Sequence, residues 1–539
     1  MKSGKYIENN ILWNQLISIC EEQANALLRL AFGSLVREAG DLSAGVFNSE
    51  GKMLAQAVTG TPGHVNTMAE SVCKMLDQIP AKDLNNGDVL ITNDPWIGAG
   101  HIFDFVVVTP VFWSRKIIGY FASTCHVVDV GGLGWSAEGT SIFEEGTLIP
   151  VTYLRQSNKI QEMLLKIITA NSRVPHEARG DILSLMSCND AGINRLISLL
   201  KENSLKDLNK ISNFIFSQSL KSMRTKINNL KKGVFKNQLQ LDGFKDPIQL
   251  SASLTIRNGK ITVDLDKSSK SISRGINCPL NYSVAYASFG VKAAVAPDVP
   301  NNAATLSTIR VNAPPGLVVS AERPSPVTAR HVVGQALPDL VLGCLAKVIP
   351  DIIPAESSGA LWTISLNHEG EEPFNSLNVA LGGTGARPNS DGLSTTAFPS
   401  GVGSIPIEII ESESPVIYMK KEFRENSGGI GKFRGGLGQK IQIGCLEKKN
   451  MKMSAAAFEK ISVGPAGRNG GKSGEPGSVE ISNGEKVIDK GTYIIPPGET
   501  VTLNTPGGGG YGNSKFRDIN MQKKDIAFDL VKINDTEEN

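Results

Sequence analysis

The apolar stretch between residues 105 and 126 is the feature that most constrains how this chain can fold. It reads FVVVTPVF, then a polar turn, then IIGYFASTCH, which predicts a buried β-hairpin with strands at 105–112 and 117–126. His101 and Asp104 lie in the short Gly-rich loop before the first strand, and His126 ends the second. Imidazole and carboxylate groups at strand ends suit a divalent metal used in hydrolysis. Because the chain has only 6 histidines, two in one hairpin call for an explanation.

Length and composition exclude several classes of protein. At 539 residues the chain is too long for one core, so we expect two or more domains. Lys+Arg number 55 against 53 Asp+Glu, and this balance gives no support for nucleic-acid or membrane binding. The 7 cysteines stand singly, which favours a reducing cytoplasm over a disulfide framework. The sequence shows no apolar signal core and no window near the ~18 apolar residues of a membrane span, so we expect a cytoplasmic protein.

The pattern along the chain predicts a multi-domain α+β protein with mixed β-sheets, helices and Gly-rich loops. Residues 1–236 are predicted as a metal-site domain, 237–512 as a second α+β domain and 513–539 as a C-terminal tail with a short helix and a frayed acidic end. The Asn258-Gly259 pair is a strong hairpin signal within the second domain. Helical spacing predicts helices at 11–37, 65–78, 161–232, 282–296 and 327–349. From residue 361 onward, strands alternate with segments such as NSGGIGKFRGGLGQ and NTPGGGGYG, which are predicted to be turns.

The potential metal ligands can be extended beyond the hairpin. His101 and Asp104 are separated by two residues in a loop, so their side chains can converge on one ion, and His126 can reach the same end of the hairpin. Asp41 begins a neighbouring strand and is a candidate fourth ligand. Two imidazoles and two carboxylates suit Zn²⁺, Mn²⁺ or Fe²⁺, and residue identity does not choose among them. The alternative is that each histidine is simply a satisfied residue at a strand end.

Two further residues are candidates for a catalytic role. Asp129, in HVVDVGG, either orients a ligating imidazole or caps the Gly131-Gly132 turn. His64, in TPGHVNTM, is either a donor in the substrate site or a helix-entry residue.

Phosphate binding and nucleophilic catalysis find little support. The segment GGIGKFRGG has Phe433 where a phosphate-binding loop needs Ser or Thr, and Arg434 where GxGxxG needs its last Gly. GGGGYG lacks a strand-to-helix context. There is no GxSxG motif, and Cys125 is predicted to be a core residue. We therefore expect no nucleotide site in this chain.

The chain resembles the hydantoinase B/oxoprolinase family in a series of ordered motifs. These span nearly its whole length and read DLSAGVF, NDPWIGAGHIFD, HVVDVGG, IFEEGTLIP, NSRVPHEARGD, GLSTTAFPS, SGGIGKFRGGLG and TPGGGGYG. The family includes B subunits of ATP-dependent N-methylhydantoinases and caprolactamases, the C-terminal half of 5-oxoprolinases, and a related subunit of acetone and acetophenone carboxylases. The resemblance implies an ATP-binding hydantoinase A-type partner of actin-like fold that phosphorylates the substrate oxygen. It also implies metal ligands at Asp41, His101, Asp104 and His126.

The sequence departs from the family pattern beside these ligands. The metal loop usually reads THLPD and here reads GHIFD, and Val127 stands where a second histidine is usual. The ligands are kept, so these changes predict an altered pocket lining and put the substrate, more than the metal, in doubt.

Three hypotheses follow from the resemblance. The first is the metal-bearing subunit of an ATP-dependent cyclic amidase, a hydrolase of cyclic amide C–N bonds. It would contain a divalent metal such as Zn²⁺ or Mn²⁺, form a hetero-oligomer with the A-type subunit, and leave ATP to that partner. The second is a subunit of an ATP-dependent ketone carboxylase. The third is a non-catalytic scaffold, which the intact ligand set argues against.

Overall fold

The computed structural model of the protein describes residues 2–359, 361–368 and 373–532. Residues 533–539, at the end of the tail predicted at 513–539 with its frayed acidic end, lie outside the described residues. Among the described residues, no helix is long and apolar enough to cross a membrane. The described chain has mixed helices and several small sheets, which confirms the predicted α+β class.

The described elements are numbered along the chain. The helices are α1 Lys2–Leu30, α2 Ser34–Arg37, α3 Pro62–Gln78, α4 Ile142–Glu145, α5 Glu162–Ala170, α6 Pro175–Glu202, α7 Asn209–Asn228, α8 Leu280–Val295, α9 Ala303–Leu306, α10 His331–Gly334, α11 Leu337–Leu345, α12 Ile407–Glu413 and α13 Ile519–Ala527. The first eleven strands are β1 Leu42–Asn48, β2 Met53–Gln56, β3 Val89–Thr92, β4 Asp104–Trp113, β5 Lys116–His126, β6 Thr152–Gln156, β7 Lys159–Ile160, β8 Gly233–Leu241, β9 Ile248–Arg257, β10 Lys260–Asp264 and β11 Ile309–Asn312. The later strands are β12 Trp362–His368, β13 Phe374–Ala380, β14 Val416–Phe423, β15 Gln439–Cys445, β16 Met451–Ser454, β17 Ser478–Ile481, β18 Thr492–Ile495 and β19 Val501–Asn504.

The predicted hairpin forms the centre of a seven-stranded antiparallel sheet. Its strand order is β2-β1-β5-β4-β3-β6-β7. Phe105 and Val107 of β4 pack into the core formed with α1 and α6, whereas Val106 and Val108 pack with α3 on the opposite face. A strand that alternates between two apolar layers must be apolar throughout, which explains its uninterrupted run.

The first helix is shorter at its C-terminal end than predicted. It begins at Lys2 and ends at Leu30, and the separate α2 follows after Gly33. The backbone N–H groups of Phe32 and Gly33 donate to Asp181 Oδ1 at 2.7 and 3.1 Å, so the ladder of helical hydrogen bonds is interrupted there. The prediction of one helix over 11–37 was wrong because the interrupting carboxylate lies far away in the sequence.

A four-stranded sheet with order β11-β10-β9-β8 follows the helical segment. The predicted Asn258-Gly259 hairpin is confirmed, with φ of 53° and 67° at these residues, as a type I′ turn requires. The helix predicted over 327–349 is split into α10 and α11, and residues 328–330 form a turn. The largest apolar core contains Val327 and Leu377 together with residues of the first sheet. The domain boundary predicted near residue 236 stays a prediction.

The Gly-rich segments in the last third of the chain pack against one another as extended backbone. The prediction that they are turns was wrong for the residues around Gly436 and Gly508. Gly436 N donates to Thr384 O at 2.9 Å, and Gly508 N donates to Gly436 O at 2.8 Å. Neither glycine has positive φ, so conformational freedom does not explain them. A Cβ on Gly508 would lie 1.9 Å from Thr384 O. Close approach of neighbouring backbones therefore requires glycine here.

Replacement of Gly508 by alanine should strongly destabilise the protein. The added methyl overlaps a carbonyl oxygen that cannot move freely, so we expect a loss of at least about 3 kcal/mol in the free energy of unfolding. Gly491→Ala is the control, because a Cβ there would meet Glu138 Oε1 at 4.0 Å. Urea denaturation of both variants tests this, and equal stabilities would contradict it.

Asp339 gives a prediction about pH. It is buried in α11, accepts a hydrogen bond from Ser357 N at 3.1 Å, and has its pKa raised to about 7 by burial and by Glu356. Between the pKa of an unfolded Asp, about 3.9, and pH 7, the folded state keeps a proton that the unfolded state has lost. This group therefore costs stability progressively as pH rises through that window.

Replacement of Asp339 by asparagine removes this pH dependence. The difference in unfolding free energy, variant minus parent, should grow by up to ~1.4 kcal/mol per pH unit between pH 4 and 7. Denaturation at pH 5, 6 and 7 measures it. A difference that is constant across this range would contradict the assignment.

Candidate metal centre

Three neighbouring strand ends bring the predicted ligands to one edge of the first sheet. In the antiparallel pairing of β4 with β5, Asp104 lies directly opposite His126. In the pairing of β1 with β5, Leu42 lies opposite Cys125, and the carbonyl of Asp41 accepts a hydrogen bond from His126 N at 3.4 Å. Residues directly opposite each other point to the same face of a sheet. The register therefore sets the side chains of Asp104 and His126 side by side.

His101 completes a buried cluster with this pair. It lies in the loop before β4, where Gly100 has φ of 90° and allows the chain to turn under Tyr282. His101 Nε2 lies 2.8 Å and His126 Nδ1 lies 3.2 Å from the same oxygen, Asp104 Oδ1. The ligand atoms of all three residues lie within 4.8 Å of one another, and all three are buried. Donor atoms bound to one ion at ~2.1 Å are about 3–3.4 Å apart, so this spacing fits a single divalent ion.

The hydrogen bond on the other nitrogen of His101 sets its tautomer. Nδ1 lies 2.9 Å from the carbonyl oxygen of Thr328, which can only accept, so Nδ1 carries the proton. Burial and then the nearby Arg330 lower the pKa of His101 to about 3, so the ring is neutral. Its Nε2 lone pair then faces a carboxylate oxygen at 2.8 Å with no hydrogen between them. A cation held by both groups would relieve this repulsion, and the buried His126 Nε2 also has no hydrogen-bond partner among the described residues.

The second oxygen of Asp104 is also fully engaged. Arg330 Nη2 donates to Oδ2 at 2.6 Å, and His64 Nε2 lies 2.9 Å away. Burial alone would raise the pKa of Asp104, but the charges of His64 and Arg330 outweigh it and hold that pKa well below its usual range. The residue is therefore a carboxylate, the form that binds a metal.

His64 connects the two carboxylates predicted from the sequence. Thr61 caps α3 by accepting from His64 N at 3.4 Å, and Pro62 begins the helix, so His64 lies in its first turn. Its Nδ1 lies 3.5 Å from Asp41 Oδ1, and its Nε2 faces Asp104. Burial lowers the pKa of His64, yet the two carboxylates outweigh burial and raise it overall. His64 is thus both a helix-entry residue and part of the site.

Asp41 is not part of the three-residue cluster. Its side chain contacts His64, is 24% exposed, and lines a cavity that adjoins the cluster. The structure thus brings His101, Asp104 and His126 together, and it separates the fourth predicted ligand from them by the imidazole of His64.

A cavity of about 50 Å³ adjoins the cluster, which is room for a few water molecules or a small group. One part of its wall is polar and consists of Asp41, Thr61, His64, His126, Arg330, His331, Gln335 and Thr363. Another part is apolar and consists of Leu35, Ala39, Leu361, Leu377, Val379 and Val402. The wall draws on segments of the sequence on both sides of residue 236.

Sequence reasoning missed Arg330 and His331. Arg330 is buried, stacks over the ring of Tyr282 at 4.2 Å and donates from Nε to the carbonyl of Ala99 at 3.1 Å. Burial and Arg330 together hold the pKa of His331 well below its usual range, so His331 faces the cavity as a neutral imidazole. The one available signal was a histidine beside an arginine in a chain poor in histidine.

Asp129 makes its contacts away from the cluster. Its carboxylate accepts from Arg173 Nη1 at 2.7 Å, from the Arg173 backbone, and from Gly131 N at 3.3 Å. These contacts favour the alternative in which Asp129 caps the Gly131-Gly132 turn. The partner of His101 Nδ1 is the Thr328 carbonyl instead.

The three substituted residues beside the ligands are packed behind them. Ile102, Phe103 and Val127 are fully buried, and the ring of Phe103 stacks on that of His126 at 5.6 Å. None of the three lies on the wall of the 50 Å³ cavity. The expectation that they line the pocket was therefore wrong, and their effect on it is indirect.

The chain is similar to known proteins over almost its entire length. A profile of the Hydantoinase B/oxoprolinase family matches residues 5–514. An uncharacterized protein of Methanocaldococcus jannaschii is 30% identical, and the match covers 96% of this chain and 92% of that protein. The putative B subunit of a D-/L-hydantoinase from a Pseudomonas species is 25% identical, with 94% and 90% covered. The 5-oxoprolinase of Dictyostelium discoideum is 26% identical, and the match covers 93% of this chain and 40% of that longer protein.

Two solved structures share the fold. The ATP-dependent caprolactamase from Pseudomonas jessenii aligns with a TM-score of 0.89 at 22% identity, over 98% of this chain and 94% of that one. Nucleotide-free acetone carboxylase aligns with a TM-score of 0.83 at 17% identity, over 97% and 78%. At these identities the likeness shows the fold alone.

Removal of a clustered imidazole should abolish tight metal binding. We expect the purified chain to bind one Zn²⁺ or Mn²⁺, and His101→Ala or His126→Ala to weaken binding by at least about 100-fold. His176→Ala is the control, because this histidine is exposed and contacts Phe32 outside the cluster. Titration calorimetry of the metal-stripped chain measures the affinities. Equal affinity of the His101 and His176 variants would contradict the site.

Proposed function

Because the chain belongs to the hydantoinase B/oxoprolinase family, we propose that it is the metal-bearing B-type subunit of an ATP-dependent cyclic amidase. In this proposal an A-type partner phosphorylates the oxygen of a cyclic amide, and the present chain opens the activated ring by hydrolysis. The observation that carries the proposal is the buried His101–Asp104–His126 cluster beside a small cavity.

The names of relatives support a cyclic amide as the substrate class. The relatives include a protein named as the B subunit of a hydantoinase and a 5-oxoprolinase, and a structural neighbour is an ATP-dependent caprolactamase. Each of these names refers to a cyclic amide. The 5-oxoprolinase is more than twice as long as the region that matches this chain. In this proposal, a separate polypeptide supplies here the function of the remaining part of that longer protein.

The packing of the Gly-rich segments supports ATP binding by a partner. A phosphate-binding loop presents free backbone N–H groups to the phosphates. In GGIGKFRGG, the N–H groups of Gly429, Lys432 and Phe433 donate to carbonyls of the 507–512 segment at 2.8–3.0 Å. In return, Tyr511 N donates to Phe433 O at 2.9 Å. Groups that are bonded to each other in this way are not available to a nucleotide.

The side chains around the cavity suit an anionic, activated substrate. An amide is stabilised by resonance and resists water, whereas phosphorylation of its oxygen gives an imidate with an electrophilic carbon. Water adds to that carbon, the ring nitrogen leaves as the amine, and a second water hydrolyses the resulting acyl phosphate to carboxylate and phosphate. Arg330 places a fixed positive charge beside Asp104 at the cavity wall. His64 holds a proton between the two carboxylates and is the candidate donor to the departing ring nitrogen. Leu377 and Val379 form part of the apolar wall of the cavity.

A divalent ion held by His101, Asp104 and His126 would supply Lewis-acid polarisation and a water of lowered pKa. The donor set of two imidazoles and one carboxylate fits Zn²⁺ or Mn²⁺. The side chains of this chain provide the ligands, the orienting hydrogen bonds and the surrounding charge.

The assembled complex tests the function. We expect the chain, mixed with its A-type partner, to hydrolyse ATP when a ring substrate is present, in a screen of hydantoins, 5-oxoproline, lactams and ketones with and without bicarbonate. Asp104→Asn should lower ring opening by at least about 100-fold, since it removes a ligand charge. His176→Ala should leave it unchanged.

The outcomes separate the alternatives. Ring opening that persists in the metal-stripped complex, or in Asp104→Asn, contradicts the proposal. ATP turnover with ketones that depends on bicarbonate indicates a carboxylase instead. Turnover by the partner alone at the full rate indicates that this chain is a scaffold.

A further inference from the structure

The turn at residues 327–330 carries the orienting partners of two clustered side chains. The carbonyl of Thr328 accepts from His101 Nδ1 at 2.9 Å, and Arg330 Nη2 donates to Asp104 Oδ2 at 2.6 Å. The turn comes from a part of the chain more than 200 residues beyond both ligands. Correct orientation of the two ligands therefore depends on where this turn is held.

One buried carboxylate holds the turn. Glu145, the last residue of the short helix α4, accepts from Val327 N at 2.6 Å and from Thr328 N at 2.8 Å through Oε1. The same α4 segment binds the chain just before the turn, because Ile142 N donates to the carbonyl of Pro324 at 2.9 Å. Glu145 thus binds the N–H of Thr328, the same residue whose carbonyl orients His101.

Burial of the Glu145 carboxyl group lowers the stability of the folded protein. Its side chain is inaccessible to solvent, and Oε2 has no hydrogen-bond partner among the described residues. Burial raises the pKa of Glu145 to about 7, although the Thr328 and Val327 N–H groups act in the opposite direction. A buried polar group that is half satisfied costs stability. Its two short bonds to the turn are the interactions that offset this cost.

We propose that Glu145 is a positioning residue of the metal centre. Through the N–H groups of Val327 and Thr328 it fixes the turn that presents the Thr328 carbonyl to His101 and Arg330 to Asp104. It touches neither the ligand atoms nor the substrate cavity. This inference rests on the proposed function in that it takes His101 and Asp104 as metal ligands.

Two measurements on the full chain test the proposal. The first is Zn²⁺ affinity by titration calorimetry, and the second is hydrogen exchange of the 325–331 segment in the metal-free chain. Glu145→Ala removes the acceptor, so we expect affinity to fall about 10–100-fold, as for loss of a group that orients a ligand. We also expect faster exchange at Val327 and Thr328, because both N–H groups lose their acceptor.

Two further variants provide the controls. Glu145→Gln keeps an acceptor oxygen in place and should retain affinity within about threefold, with exchange still slow. Glu144→Ala should match the parent in both measurements, because Glu144 lies on the same helix but bonds to Thr140 at the surface. If Glu145→Ala does not fold, Glu145→Asp takes its place, since it keeps the charge and withdraws the oxygen by one methylene.

The result that overturns the proposal is parent-like affinity in Glu145→Ala, or in Glu145→Asp, with unchanged exchange at 327–328. Equal losses in the Ala and Gln variants also overturn it, because they would point to general destabilisation. If the parent itself binds no metal, the proposed function fails. The exchange measurement still decides whether Glu145 holds the turn.

Discussion

The register of β4 against β5 is the constraint on which the site depends. It places Asp104 opposite His126 and both next to the end of β1. A slip of one residue would turn one of these side chains to the opposite face of the sheet. Such a slip is opposed by the apolar layers on both faces, since every residue from Phe105 to Val108 is buried against helices. Packing of the sheet therefore fixes the geometry of the polar edge.

That polar edge gathers charge in a place where water cannot stabilise it. Asp104 alone meets His101, His64, His126 and Arg330. Such an arrangement is costly unless each polar group has a hydrogen-bond or ion-pair partner. Among the described residues, Nε2 of His101 and Nε2 of His126 are buried without a hydrogen-bond partner. The concentration of orphaned polar atoms beside a cavity is typical of a site that binds an ion and a polar ligand.

Local sequence predicted the elements of this site and long-range packing decided its details. The hairpin and the family were correctly predicted, because strand alternation and ordered motifs are written in neighbouring residues. Arg330 and Glu145 were not predicted, because their roles arise only when the 327–330 turn docks on the first sheet. The segment HVVDVGG left two roles open for Asp129, orienting a ligand or capping the Gly131-Gly132 turn, and its ion pair with the distant Arg173 favours the cap. The close backbone packing around Gly508 likewise depends on segments far apart in the sequence.

The most direct test of the account is a crystal structure of the metal-loaded chain with diffraction data collected at the absorption edge of the metal. We expect one anomalous peak in contact with His101 Nε2, Asp104 Oδ1 and a ring nitrogen of His126, with Nδ1 of His101 still bonded to the Thr328 carbonyl. An anomalous peak held by other residues, or no peak at this cluster in crystals soaked with Zn²⁺ and Mn²⁺, would contradict it.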